Sequence, residues 1–140
     1  MNSKTMVGGI LAGIVSFLLG WLVFGILLMD YYTRNMKNYE GLMKSSPEIW
    51  AIAVSNLCFG MLLAFVFQLA GIKTASRGFI TAMVISLLTS VSLNLYMYAQ
   101  FDLYAGSMLV TDVLVNAIFG GIVGAFLGRW LGRKAGVTGT

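Results

Sequence analysis

The sequence has no histidine, a single cysteine at Cys58, and only five acidic residues among 140. Without histidine, imidazole metal sites and imidazole acid–base chemistry are excluded. One cysteine leaves neither a disulfide framework nor a thiol pair. No G-x-x-x-x-G-K-[ST] stretch occurs, which excludes the phosphate-cradling loop of nucleotide hydrolases. Charge of either sign is scarce: Asp, Glu, Lys and Arg together make up 10% of the chain. A water-soluble domain of this length could not cover its surface with so few.

Apolar residues fill the space instead, at 59% of the chain with a mean hydropathy of +0.87. Four runs, residues 6–29, 48–70, 78–100 and 106–130, each reach the length of about 20 residues that crosses a bilayer. Backbone groups in hydrocarbon must pair internally, and no barrel-like alternation is present, so the runs read as helices. The expected class is all-α: a polytopic membrane protein with four transmembrane helices in one domain over residues 1–140, ending in a short polar tail. Lys4 ahead of an apolar run also fits a signal peptide. That run is longer than a signal h-region, has no A-x-A exit, and is followed by three more spans.

Between the first two spans, Tyr32, Met36, Tyr39 and Met43 share a helical face, which predicts an interfacial helix over residues 31–44 with its tyrosines at headgroup level. Gly41 weakens it, and an ordered non-helical loop is the alternative. The second span is expected to start with Ser45 or Ser46 as cap, Pro47 in the first turn and Glu48 at the positive end of the helix dipole. Trp50 falls at the interface. Trp21 lies well inside the first span and is expected to pack against a neighbour.

The nine Lys and Arg divide unevenly. Lys4, Lys73, Arg77, Arg129, Arg133 and Lys134 fall on one side, and Arg34, Lys37 and Lys44 on the other. Positive charge favours the cytoplasm, so both termini are expected there. The formal net charge of +4 is then a matter of topology, and no nucleic-acid partner is expected. All five acidic residues, Asp30, Glu40, Glu48, Asp102 and Asp112, belong to the opposite half.

Small residues recur every four positions on all four spans, as Gly8, Ala12, Ser16 and Gly20, then Gly60 and Ala64, then Ala82, Ser86 and Ser90, then Gly120, Gly124, Gly128 and Gly132. The last is a glycine zipper, a stripe without side chains that lets another helix approach closely in lipid. Packing of this stripe against that of the first span is the expected arrangement, with a homodimer seam as the alternative. The pattern N-x-x-F-G-x-x-x-[AG] appears at Asn56–Ala64 and again at Asn116–Gly124. It suggests two repeated helical hairpins of the same orientation.

Polar side chains inside the spans fall at one depth. At 1.5 Å per residue, Asn56, Asn94 and Asp112 lie roughly 9 to 12 Å from the outer ends of their spans, with Asn116 about one turn deeper. Facing the bundle lets them satisfy one another, whereas facing lipid strands them. Two readings stand open: a structural hydrogen-bond layer that fixes register, and a shallow polar site open to the outer side.

The stretch Gly20-Trp21-Leu-Val-Phe-Gly25, the aromatic loop after it and the glycine-rich last span together resemble small four-helix bacterial integral membrane-protein families of unknown function. The resemblance implies the architecture and a multi-pass place in the bacterial cytoplasmic (inner) membrane, and no activity. Small multidrug exporters share the span count but carry a glutamate in the first helix, where Met6–Met29 has no acid.

No enzymatic activity and no cofactor are expected. Asp112 has no nucleophile or base partner, and no metal-ligand set is visible. The leading expectation is a non-catalytic subunit or modulator of a membrane assembly, in contact with membrane lipids and with copies of itself or a larger complex. The alternative is a small transporter or channel that takes a small solute or cation at a site around Asp112.

Overall fold

A computed structural model describes residues 1–134; the rest of the polar tail lies outside the described residues. The chain forms α1 (Ser3–Leu22), a π-helical turn (Val23–Leu27), α2 (Met29–Asn35), α3 (Ile49–Leu69), α4 (Ala75–Gln100) and α5 (Gly106–Gly132). Counting α1 with its π turn, four helices of 25, 21, 26 and 27 residues are long and apolar enough to cross a membrane. The architecture is a polytopic, all-α membrane fold. It has a termini half, where α1 begins and α5 ends, and a loop half, holding residues 28–48 and 101–105.

Local chemistry sets the helix ends. The Asn2 side chain accepts from the Thr5 backbone N–H at 2.8 Å and caps α1. Thr74 does the same for α4 through the Arg77 N–H at 3.4 Å. Gly71, at φ +63°, supplies the left-handed turn that lets α3 double back into α4. The start of α3 differs from expectation. The cap position is Glu48, not Ser45 or Ser46, and its carboxylate accepts from Lys44 Nζ and Trp50 Nε1, each at 3.2 Å, rather than capping the backbone.

The expected helix over 31–44 is replaced by a shorter one. α2 ends at Asn35 because Met36 turns extended and pairs with Tyr104 as an isolated antiparallel bridge. The Lys37 N–H then donates to Leu103 O at 2.7 Å, Lys37 Nζ pairs with Asp102, and Tyr39 Oη donates to Asp102 O at 2.7 Å. Gly41 at φ +77° completes the departure from helix. The long loop is thus fastened across the short one, which sequence periodicity could not register. Trp21 is also corrected: it is 65% exposed, facing outward from the bundle, with its ring beside Gly25 of its own helix.

The apolar core lies in the termini half, where Ala12, Leu63, Ala64, Phe67, Ala82, Val123 and Leu127 are buried together. Glycine brings the backbones close there. A Cβ on Gly60 would fall on Gly9 O and the backbone of Gly13, and one on Gly124 would fall on Ala82 Cβ and Gly78 O. The α5 stripe therefore packs on α4, not on α1. Gly120 faces Ser86, Gly128 faces Thr74 O and Gly132 faces Lys73 O. The reason is complementarity, because α4 presents Gly78, Ala82 and Ser86 at the same four-residue spacing. α1 reaches α5 through Gly8, against Trp130 and Leu127, and reaches α3 through Gly9 and Gly13. Gly20 is looser; its Cβ would sit 3.7 Å from the Phe119 ring, an ordinary contact. Among the described residues α3 and α4 make no sustained contact with each other, so the bundle is open along that side.

Candidate functional site

The open side of the bundle leads to its polar residues. On α5, Asp112 accepts two hydrogen bonds, from Tyr32 Oη to Oδ1 at 2.6 Å and from Asn94 Nδ2 to Oδ2 at 2.8 Å. Asn94, on α4, is held in turn. Its Nδ2 reaches Ser90 O at 2.9 Å, and its Oδ1 accepts from Tyr104 Oη at 3.1 Å. Four segments thus converge on one carboxylate: α2, α4, the 101–105 turn and α5.

Asn116 joins through its own helix, donating from Nδ2 to Asp112 O at 2.8 Å. Asn56 stands across the gap on α3. It accepts from Ser16 Oγ of α1 at 2.6 Å and donates to Ile52 O at 2.8 Å. Of the four intramembrane polar residues, the fold brings Asn94 and Asp112 into direct contact, ties Asn116 to the same turn, and leaves Asn56 in a separate pair with Ser16. Asn56 and Asn116 make the same bond, to the carbonyl four residues back, at matching positions of the N-x-x-F-G pattern.

Both groups face one cavity of about 370 Å³, lined by Ser16, Ser55, Asn56, Phe59, Ser86, Thr89, Ser90, Leu93, Asn94, Asp112, Asn116 and Phe119. A smaller recess of about 190 Å³ lies on the loop side, between Tyr32, Met36, Asn94, Tyr104, Met108 and Asp112. Asn94 and Asp112 belong to both. Toward the termini the larger cavity ends on Phe59 and Phe119, above the fully buried Leu63, Phe67, Val123 and Leu127. It is a blind recess. Ser86, 7% exposed at its wall, has an Oγ with no hydrogen-bond partner among the described residues.

Electrostatically the carboxylate sits among neutral donors. Among the described residues the ion pairs are Lys37–Asp102 and Lys44–Glu48, both exposed and both away from Asp112. The Tyr32 hydroxyl is pushed well above its ordinary range, first by burial and then by its bond to the Asp112 carboxylate. Burial and the same negative charge raise Tyr104. Both hydroxyls therefore keep their protons at neutral pH and act as donors.

Sequence reasoning missed Tyr32, Tyr104 and Ser16 as partners. The tyrosines read as an aromatic belt at headgroup level, and nothing in linear order ties residue 32 to residue 112. Gly9, Gly13 and Gly78 were missed as well, although Gly9-x-x-x-Gly13 is itself a small-xxx-small pattern.

The side chains that contact the Asp112 carboxylate are the Tyr32 hydroxyl and the Asn94 amide, and no three His, Cys, Asp or Glu side chains come together among the described residues. The chain has four helices long and apolar enough to cross a membrane and no metal-ligating cluster among the described residues. No protein-family model, curated protein or solved structure matches it.

Proposed function

We propose that the chain is a non-catalytic component of a larger membrane assembly, a subunit or modulator whose loop half receives a transmembrane helix of a partner protein. The observation that carries this reading is the open side of the bundle. Ser55 and Thr89 are exposed on opposite walls of the 370 Å³ cavity, and α3 and α4 do not close over it. Thr89 Oγ1 already donates to Ile85 O at 2.7 Å, whereas Ser86 Oγ in the same cavity has no partner among the described residues. In hydrocarbon, hydrogen bonds between helices are a common remedy for such groups. Asp112 defines the partner's chemistry. Among the described residues its carboxylate meets only neutral donors, so a basic or donor-rich side chain on the arriving helix complements it. The division of Lys and Arg supports cytoplasmic termini in a bacterial inner membrane.

Photoreactive residues at Ser55 and Thr89 in intact membranes test this, with exposed Leu18 as the control. Both cleft positions should give one discrete protein adduct that is absent at Leu18 and lost in Asp112→Leu. An adduct of this chain with itself would make the partner a second copy. Lipid adducts alone at all three positions would overturn the proposal.

One observation favours a second reading, a small transporter or channel for a cation or polar solute. Asp112 and Asn94 line both recesses, so a solute arriving from the loops meets the carboxylate first. The buried core below leaves no through path in this conformation. Uptake into proteoliposomes checks it, since Asp112→Asn keeps shape and removes charge. Flux lost with the fold retained would support transport over docking.

A further inference from the structure

At the opposite end of the bundle, a cavity of about 320 Å³ lies between the first turn of α1, the turn joining α3 to α4, and the last turn of α5. Its floor is apolar, formed by Phe67, Ile72 and Leu131, and its walls are Asn2, Lys4, Thr5, Gln68 and Lys73. Thr5, Phe67 and Ile72 are buried, so the cavity enters the bundle rather than lying on its surface.

The hydrogen bonds already made there decide what the walls still offer. Asn2 Oδ1 accepts from both the Thr5 N–H and Thr5 Oγ1, each at 2.8 Å. Gln68 Oε1 accepts from the Asn2 N–H at 3.1 Å. Asn2 Oδ1 has both lone pairs engaged and Gln68 Oε1 one of its two, so the capacity left on these side chains is mainly that of their NH₂ groups, which only donate. Lys4 Nζ donates to Leu131 O at 2.9 Å and to Arg133 O, using two of its three hydrogens. Lys73 stands at the mouth beside Gly71. The site is rich in donors and carries positive charge. The surrounding charge has the same sign: Lys4, Lys73, Arg77, Arg129, Arg133 and Lys134 belong to this end, while all five acidic residues belong to the other half. A cavity built this way selects anionic oxygen.

We infer that it binds the phosphate headgroup of an anionic phospholipid. It lies at the ends of membrane-spanning helices, at the level where headgroups sit, and basic recesses between such helices attract anionic lipid. Half-buried Leu131 in its lining and exposed Leu69 beside it on α3 offer apolar contact to the glycerol and upper acyl carbons that free phosphate lacks. This inference stands apart from the docking proposal, since no residue of this cavity lines the α3–α4 cleft.

The test uses the full chain in lipid nanodiscs of phosphatidylcholine with or without phosphatidylglycerol, then release into detergent and native mass spectrometry. The expected result is one retained phosphatidylglycerol per chain, with no phosphatidylcholine held in its place. Lys73→Gln should cut retention about fivefold, the effect of one cation at a membrane surface, and Lys73→Arg should restore it. Arg77→Gln, at the same end but outside the cavity lining, should leave retention near that of the unaltered protein. Equal loss in Lys73→Gln and Arg77→Gln marks general surface attraction and overturns the site. Displacement of the lipid by inorganic phosphate overturns the assignment to a lipid, and absence of a discrete adduct overturns the inference altogether.

Discussion

The termini half and the loop half are built from the same four helices and held by different forces. In the termini half, glycines let backbones touch, Leu63, Phe67, Val123 and Leu127 are fully buried, and polar links are confined to the helix ends, where Asn2 meets Gln68 and Lys4 meets the last turn of α5. In the loop half the helices diverge, and side-chain hydrogen bonds to Asp112, Asn94 and Asn56 span what packing does not fill. Lipid surrounds both, so burying apolar surface between helices gains little beyond what the tails already provide. Close van der Waals contact and hydrogen bonds are the remaining sources of cohesion. Each half uses mainly one of them. Tolerance to change follows from this contrast: a closely packed half resists added volume, and a hydrogen-bonded half resists loss of a donor or acceptor.

The largest expected effect falls on the termini half. Gly124→Ala places a methyl on Ala82 Cβ and the Gly78 carbonyl, both of which are fixed, so alanine is not a mild substitution here. A loss of about 3 kcal/mol is expected from overpacking, read as an unfolding equilibrium in mixed micelles. Unchanged stability would mean that α4 and α5 are not in backbone contact at this level.

Next comes the loop half. Asp112→Leu strands Tyr32 Oη and one hydrogen of Asn94 Nδ2, whose other hydrogen stays on Ser90 O, and should cost about 2 kcal/mol. Asp112→Asn should cost about half as much, because an amide oxygen still accepts one of these bonds. Equal costs for the two variants would show that these bonds do not hold the loop half.

Tyr32→Phe isolates a single bond of the same group. It removes one donor to the carboxylate, about 1 kcal/mol, and brings a pH signature. The folded-state pKa of Tyr32 lies above its ordinary value of 10.0, so its stabilising contribution is complete below that pH. It is lost as pH rises through the folded value, because only the unfolded chain releases the proton early. Unfolding measured on the alkaline side of 10.0 should therefore depend less steeply on pH in the phenylalanine variant. The same slope in both proteins would place the tyrosine away from Asp112.

The smallest effect tests the boundary between the halves. Gly20 lies at the divergence of α1, with room for a methyl 3.7 Å from the Phe119 ring. Gly20→Ala should change stability by no more than about 0.5 kcal/mol in the same assay. A loss as large as that of Gly124→Ala would extend the closely packed half past the level where the cavity begins.

Much of the architecture is legible in the amino-acid order alone. Spans, their number and their approximate ends follow from apolar runs, since a helix in hydrocarbon satisfies its backbone using its own residues. The glycine stripes and the depth of Asn56, Asn94 and Asp112 are readable for the same reason, because helix periodicity is a local property. Partners are not. The α5 stripe chose α4 over α1 because Gly78, Ala82 and Ser86 offered a surface of equal smoothness, a relation between two helices that neither one states by itself. Tyr32 came to Asp112 as residues 36–39 fastened one loop across another, and Asn94 rather than Asn56 became its neighbour because α5 packs along α4. Linear order thus dictates an all-α membrane chain with polar groups held at one level. Which of those groups meet, and that a cleft stays open between α3 and α4, was settled by packing, because contacts between helices depend on matching surfaces distant in the chain.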